Sequence, residues 1–215
     1  MEIFISVDGV LRNTIQKFDY HYKDAFLDSE LEDNTFEYNI TEPIENDNLL
    51  NSYKFQSQEE FENFLFIEYP IEIFGHAGLS YSTTFTDLNK LIYENQQHNF
   101  TIIGLNELGK SKPATLFFLS KNGFMGSNIK FSKKDDVKDL WEKYDAWITD
   151  SEFILNECPE NKIGIKFVTP YNQYFTYKKE ISKLNEINEP WLNFSENNTT
   201  LISMESQQNV EQTKQ

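Results

Sequence analysis

Five short apolar segments, separated by helical patterns, constrain the fold of this chain more than any other feature. Each segment is rich in β-branched or aromatic residues and is bounded by polar or turn residues; they span residues 3–7, 100–103, 128–131, 146–149 and 163–168. Short, nearly continuous apolar runs are typical of strands that are buried on both faces of a parallel sheet. Their alternation with helices predicts an α/β fold with a doubly wound parallel sheet.

Helix signals separate these strands. A helix predicted over residues 113–122 begins with Pro113 and is followed by Gly123, the usual residues at a helix start and just past a helix end. Residues 132–135 resemble a capping box. The helix after them places four apolar residues on one face: Val137, Leu140, Trp141 and Tyr144. Asp150 and Ser151 can cap a further short helix that ends before Pro159.

The interval between the first two strands is too long for one crossover, because such connections usually take only a few residues. We therefore predict an inserted, lid-like module over residues 16–97, in a core formed by residues 1–15 and 98–175. Residues 24–47 contain nine acidic residues and no Lys or Arg. We interpret them as a solvated loop or an edge hairpin over residues 35–40; an electrostatic partner site is the alternative.

The rest of the insertion has helical patterns. Residues 57–60 form a capping box before Phe61, Phe64, Leu65 and Ile67, and a second helix is predicted over residues 84–97. Residues 71–78 are predicted to form a turn. The run that contains Phe61, Phe64, Leu65 and Phe66 is expected to form the core of the lid rather than a groove for a partner. Residues 176–215 are predicted to form a short helix, over 177–185, and an extended polar tail.

Charge and composition limit the function classes. The chain has 35 acidic and 19 basic residues, for a net charge of -16. Such a surface repels nucleic-acid backbones and anionic membranes, so neither is an expected partner. The single cysteine, Cys158, allows no internal disulfide. The N-terminus has neither a basic start nor a long apolar run, so we expect no secretory signal and no membrane span.

The first strand leads into the most specific local motif, Ser6-Val7-Asp8-Gly9-Val10-Leu11. It resembles the first motif of the haloacid-dehalogenase-like (HAD-like) superfamily, in which an apolar strand ends in Asp-x-Asp-Gly-(Thr/Val)-Leu. In that family the first Asp attacks phosphorus and binds Mg²⁺, and the second acts as acid and base. Here Asp8 matches the second position, whereas Ser6 stands at the nucleophile position. The resemblance also implies a HAD-type, Rossmann-like sheet with the insertion after its first strand.

The remaining HAD-like motifs are only partly kept. The Ser or Thr that holds the phosphoryl oxygens falls on Gly104, which has no side chain. Lys133 or Lys134 occupies the position of the lysine that neutralises phosphate charge. The acidic pair after the fourth strand retains Asp150, and its second member is Ser151. These departures predict a degenerate site without catalysis, and Mg²⁺ is expected only if Asp8 and Asp150 still bind it.

Each of these residues could also have a purely structural role instead of a catalytic or metal-binding one. Asp8 and Asp150 can share a cation, but the favoured interpretation is that Asp8 caps the turn after the first strand and Asp150 caps a helix. Ser6 is not favoured as a nucleophile, because no base is evidently placed to activate it. His76, between Gly75 and Ala77, is expected to be a loop residue rather than a catalytic one.

Longer segments, among them residues 107–123, resemble HAD-like proteins of tailed bacteriophages, and the residue bias suggests the crAss-like group. This favours a non-catalytic scaffold in a virion, such as a subunit of a neck or tail ring, located in the virion or the host cytoplasm. Homo-oligomer contacts would come from apolar residues spaced along the tail: Trp191, Leu192, Phe194, Leu201, Ile202 and Met204. The alternative is a Mg²⁺-dependent phosphohydrolase acting on nucleotides or other small phosphate esters. Fold alone does not decide between them.

Overall fold

The computed structural model describes residues 1–26 and 49–187 and is built around a six-stranded sheet. The strands are β1 (Glu2–Ser6), β4 (Asn99–Leu105), β5 (Ile129–Ser132), β6 (Ala146–Thr149), β7 (Ile163–Phe167) and β8 (Glu180–Ile181), and their order is β5-β4-β1-β6-β7-β8. Every pairing in this sheet is parallel. The predicted doubly wound α/β fold is therefore confirmed.

Helices cover both faces of the sheet, because successive side chains of a buried strand point to opposite faces. Ile3 and Ile5 of β1 belong to one apolar cluster with residues of α4 (Thr84–Glu94) and α5 (Ser111–Lys121). Phe4 belongs to a second cluster with residues of α6 (Val137–Lys143) and α7 (Glu152–Asn156). The apolar face predicted for α6 is confirmed, since Val137, Leu140 and Trp141 are buried and Tyr144 packs against the same cluster.

Most of the module predicted over residues 16–97 lies between two short strands that form an antiparallel ladder, whereas α4, at its end, packs against the sheet. Arg12–Asn13 (β2) pairs with Gly78–Leu79 (β3), with Arg12 opposite Leu79. Between them lie α1 (Thr14–Phe26), α2 (Leu49–Ser52), α3 (Gln58–Asn63) and two π-helical turns, Phe64–Glu68 and Ile71–Gly75. The ladder fixes both ends of the insertion beside the carboxyl end of β1. The acidic segment over residues 27–48, with the hairpin proposed for 35–40, lies outside the described residues.

The insertion is built around an aromatic cluster that also includes Ala114 of α5. Phe18 and Tyr22 of α1 pack with Tyr53, Phe64, Leu65, Phe66, Ile73 and Phe74, and Phe61 packs against this cluster. The expected lid core is thus confirmed. The capping box at residues 57–60 is also confirmed at its first half, since the Ser57 hydroxyl accepts a hydrogen bond from the Glu60 N–H at 3.1 Å.

Three local predictions are wrong. The proposed turn at residues 71–78 contains a π-helical turn after Pro70, because Ile73 and Phe74 are buried in the lid. The proposed helix at 177–185 contains instead β8 and a 3-10 turn, Leu184–Glu186, because β8 pairs with β7. The capping box proposed at residue 132 starts one residue later, since Ser132 ends β5 and the Lys133 N–H donates to Asp136 at 3.1 Å.

Among the described residues, the helices are all too short or too polar to cross a membrane.

Candidate functional site

A cavity of about 290 Å³ lies between the lid and the carboxyl ends of β1, β4 and β6. This edge of an open parallel sheet, where the strand order reverses, is the usual place for a binding site. Core residues contribute most of the polar lining, namely Ser6, Asp8, Asn106, Glu107, Lys134, Thr149, Asp150 and Ser151, together with the apolar side chains of Ile103, Leu105, Phe153 and Ile154. Lid residues form a mostly apolar side: Leu49, Leu50, Gln58, Phe61, Leu65, Phe66 and Phe74. The structure thus brings most of the predicted site residues together.

A buried arginine organises the polar side, and no sequence motif identified it. Arg12 is completely buried, and its guanidinium donates to Asp8 at 2.8 Å and to Glu107 at 3.0 Å. It also donates to the Thr115 hydroxyl and to the Phe74 carbonyl oxygen. The two nearby carboxylates raise the pKa of Arg12 against the opposing effect of burial. Arg12 is therefore a fixed cation behind the cavity wall.

The carboxylate of Asp8 accepts hydrogen bonds from this arginine. Its Oδ1 accepts from Arg12 Nε at 2.8 Å and its Oδ2 from Arg12 Nη2 at 3.2 Å, while the Thr14 hydroxyl donates to Oδ1. Asp8 thus binds side chains of the segment that follows β1, rather than backbone N–H groups of the turn. Its side chain is 30% exposed and faces the cavity.

The site does not fit Mg²⁺. Mg²⁺ requires oxygen ligands, preferably carboxylates, in a regular octahedron, but the carboxylate of Asp8 is already bridged by a guanidinium. Ser6 supplies a hydroxyl at a position where the HAD-like motif that it resembles has a carboxylate. Within residues 1–26 and 49–187, no group of three or more Asp, Glu, His or Cys side chains is arranged to hold a metal ion.

Ser6 is held as a hydrogen-bond acceptor. Its Oγ accepts from the indole N–H of Trp147 on the neighbouring strand β6 at 3.0 Å. A serine needs an adjacent base to become a nucleophile, and no histidine of the described residues lines the cavity. His76 is exposed, and its ring contacts Phe117 outside the cavity at a centroid distance of 5.4 Å.

Gly104 leaves space that Glu107 fills. A Cβ atom at Gly104 would come within 2.6 Å of Glu107 Oε1 and 2.9 Å of Phe131 Cδ1. Glu107 Oε1 accepts from Arg12 and, at 2.7 Å, from the Thr115 hydroxyl. The missing side chain at Gly104 is therefore replaced by a carboxyl group three residues later, which the sequence motif did not identify.

Glu107 is a buried acid whose pKa is raised. Burial raises the pKa of Glu107 to about 7, while Arg12 opposes this shift and Asp8 adds to it. The physical reason is that Asp8 already balances the charge of Arg12, so that a second carboxylate in the same buried space is costly. Its second oxygen, Oε2, is buried and has no hydrogen-bond partner among the described residues.

Asp150 enters the site next to Gly9. Gly9 has φ +74°, and a Cβ there would lie 1.9 Å from Asp150 Cγ, so only glycine allows this approach. The expectation that Asp150 caps its helix is wrong, because Ser151 is the N-cap and its Oγ accepts from the Ile154 N–H at 3.2 Å. Asp150 is nevertheless 4% exposed and lines the cavity.

The two candidate lysines have different positions. Lys134 lines the cavity, with its ammonium 4.5 Å from the centroid of the Phe153 ring. Lys133 is exposed and is the N-cap of the 3-10 turn Lys134–Asp136. Of the two, Lys134 is placed to contact a ligand in the cavity. The tail residues proposed for partner binding, Trp191 to Met204, lie outside the described residues.

Comparison with known proteins supports the fold. A haloacid dehalogenase-like hydrolase, so named, from Burkholderia xenovorans LB400 has 11% identity and a TM-score of 0.56, over 89% of this chain and 98% of that one. A similarly named protein from Bacteroides fragilis has 15% identity and a TM-score of 0.56, over 86% and 98% of the two chains. The chain has the HAD-like fold. No family model and no curated protein matches this sequence.

Removing the cation of the buried cluster should be far more damaging than removing an exposed one. We expect Arg12→Met to lower the free energy of unfolding by about 3–5 kcal/mol, because two carboxyl groups lose their buried partner. Lys23→Met is the matched control, since Lys23 pairs with Asp19 at 2.7 Å but is 47% exposed; we expect a loss of at most about 1 kcal/mol. Urea unfolding measures both, and equal losses would contradict the assigned role of Arg12.

The raised pKa of Glu107 predicts a pH dependence of stability. The folded state holds this proton up to about pH 7, whereas the ordinary value is 4.5. Between these values the folded state binds more protons, so its stability falls as pH rises, by up to roughly 3 kcal/mol from this group. We expect the free energy of unfolding, measured from pH 5 to 8, to decline, and Glu107→Gln to reduce that slope. Glu160→Gln, at an exposed position, should leave the slope unchanged; equal slopes in all three proteins would refute the assignment.

Proposed function

We propose that this chain is a non-catalytic domain with the HAD-like fold, which acts by binding and assembly rather than by phosphoryl transfer. The observation that carries this proposal is the buried pairing of Arg12 with Asp8 and Glu107. By the family resemblance, Asp8 is the residue that would act as acid and base. Both oxygens of its carboxylate accept hydrogen bonds from the guanidinium, and the Thr14 hydroxyl also donates to it, so the carboxylate is held by the protein rather than directed at a substrate.

The phosphate-binding side of the site supports the same proposal. A transferred phosphoryl group carries negative charge that needs donors or cations around it. Next to Gly104 it would instead meet the carboxyl group of Glu107, which fills that space. The Ser6 hydroxyl, which accepts from Trp147, supplies neither a nucleophile with a base nor a metal ligand.

The runner-up is a Mg²⁺-dependent phosphohydrolase with altered residue roles. One observation favours it: Asp8, Lys134 and Asp150 line a single cavity, as the family motifs require. Against it stand the pairing of Asp8 with Arg12 and the poor fit of the ligand set to Mg²⁺. The finer proposal of a tailed-phage virion component, such as a neck or tail ring subunit, rests on the resemblance of the sequence segments and on the apolar residues of the tail.

Catalysis is tested with p-nitrophenyl phosphate and Mg²⁺. We expect no turnover above background from the purified chain or from Ser6→Asp, because Asp8 stays paired with Arg12 and the space at Gly104 stays filled by Glu107. We also expect Mg²⁺ to leave the thermal unfolding midpoint unchanged. An alkaline phosphatase in the same assay is the positive control. Turnover that Asp8→Asn abolishes would overturn the proposal in favour of the phosphohydrolase.

Assembly is tested by light scattering on the full chain. We expect a mass several times that of one chain, since spaced apolar residues can supply head-to-tail contacts between identical subunits. Replacing Trp191, Leu192 and Phe194 with serine should reduce this mass. Serine at Asn197, Asn198 and Thr199, in the same tail, is the control and should not. A monomer at every concentration would contradict self-assembly.

A further inference from the structure

We propose that the tail of one copy of this chain, residues 188–215, binds an exposed apolar face of a second copy, formed by α5 and the two π-helical turns of the lid. The proposal rests on the assembly proposed above and names the surface that receives the tail. It is carried by the apolar residues of this face, by the lysines around them, and by the composition of the tail.

The surface, called the α5 face below, contains large apolar side chains that are each between 40% and 49% exposed. They are Ile67, Ile71, Leu108, Leu116 and Phe117. Single exposed apolar side chains are ordinary on a protein surface, whereas a contiguous group of them is typical of an interaction site.

Two glycines show that side chains of the α5 face adjoin one another. A Cβ at Gly75 would lie 2.9 Å from Ile71 Cδ1 and 3.1 Å from Phe117 Cδ1, so these two side chains meet over this glycine. A Cβ at Gly109, in the loop that precedes α5, would lie 3.6 Å from Ile67 Cδ1. The α5 face therefore runs across the junction between the lid and α5.

The charges around the α5 face favour an acidic partner. Residues 108–121 contain three exposed lysines, Lys110, Lys112 and Lys121, and no acidic residue, although the whole chain has a net charge of -16. Two acids of the lid adjoin the face. The Glu68 carboxylate accepts a side-chain hydrogen bond within the lid, and Glu72 Oε2 is buried. The lysines thus give this face a local positive charge, which attracts a negatively charged segment.

The tail has the complementary composition. Residues 188–215 contain four acidic residues and one lysine. The first apolar group of the tail is Trp191, Leu192 and Phe194, and it is flanked by Glu189 and Glu196. Burial of such aromatic residues supplies most of the affinity at protein interfaces, and complementary charges select and orient the partner. Apolar residues between acids thus match an apolar face surrounded by lysines.

A second copy is the favoured source of the tail, because the tail starts away from the α5 face. The last described turn, Leu184–Glu186, contacts α4, and Phe85 of α4 contacts Phe118 of α5. Helix α4 therefore lies between the start of the tail and α5. Contacts between two different surfaces of identical subunits join copies head to tail. Residues 27–48 are also acidic, but Phe26 and Leu49 at their two ends pack against the aromatic cluster of the lid.

A mixing experiment on the full chain tests the pairing of tail and face. The face variant carries Leu108→Ser and Phe117→Ser, and the tail variant has serine at Trp191, Leu192 and Phe194. By light scattering, we expect each variant alone to have a lower mass than the unmodified chain. We expect their mixture to form pairs, because one variant supplies an intact tail and the other an intact face. Tyr93→Ser, at a 74% exposed position on α4, is the control and should assemble like the unmodified chain.

The outcomes of the mixing experiment separate this proposal from the proposed assembly. An unmodified chain that assembles, with a face variant of unchanged mass, would overturn the α5 face as the receiving surface and leave assembly standing. Two smaller variants that form no pairs when mixed would show that the tail does not bind a second copy at this face. A monomeric unmodified chain would overturn both proposals.

A labelled peptide covers the case in which the face variant fails to fold. Fluorescence anisotropy measures binding of a fluorescein-labelled peptide of residues 188–206 to the tail variant, whose face is intact. We expect Lys112→Glu to weaken binding at least about threefold, since it reverses a charge beside the face. Lys138→Glu, on α6 at the other side of the sheet and 77% exposed, should have no effect. Absence of binding, equal affinities of the two lysine variants, or displacement by an unlabelled peptide of residues 28–47 would overturn the tail as the occupant.

Discussion

The guanidinium of Arg12 is the interaction on which the site depends, because it joins the segment after β1 to two parts of the chain that are 62 and 95 residues away. It bonds Asp8 after β1, Glu107 after β4, Thr115 in α5 and the carbonyl oxygen of Phe74 in the lid. Its charge also lies 4.7 Å from the centroid of the Phe74 ring. An arginine can do this because its planar head presents five donors in a fixed arrangement. The lid and core are thereby held in one relative position at the edge of the cavity.

Such a buried cation is stable only with its carboxyl partners. Removing a charged head from water costs several kcal/mol, and attraction within the protein compensates only if the remaining donors are satisfied. Asp8 balances the charge of Arg12, and Glu107 completes the hydrogen bonds while its own pKa rises with burial. A buried ion cluster of this kind sets the relative positions of the segments it joins more than it adds to net stability. Its effect here is to position the lid, and the aromatic cluster between the lid and α5 provides the apolar burial.

The sheet was predictable from sequence because its signals are local. The strand at residues 146–149 has the predicted bounds, and β1, β4, β5 and β7 differ from prediction by a few residues at their ends. The π-helical turn at Ile71–Gly75 and strand β8 were mispredicted, because each depends on tertiary contacts: burial in the lid for the first, and pairing with β7 for the second. In the site, Ser6, Asp8, Gly104, Lys134 and Asp150 were readable from motif positions. Arg12 and Glu107 were not, since 95 residues separate the two ends of their ion pair.

The changes at the motif positions are physically connected. Gly104 has no side chain, and this leaves room for the Glu107 carboxyl, which a Cβ at that position would displace. Ser6 is neutral and adds no charge beside Asp8, which already balances Arg12. A carboxylate at position 6 would add a negative charge beside a cluster that is already balanced, and a side chain at position 104 would remove one acceptor of Arg12. The residues at these positions therefore form one coupled arrangement around a buried cation, so that a side chain at position 104 would also disturb the contacts of Arg12.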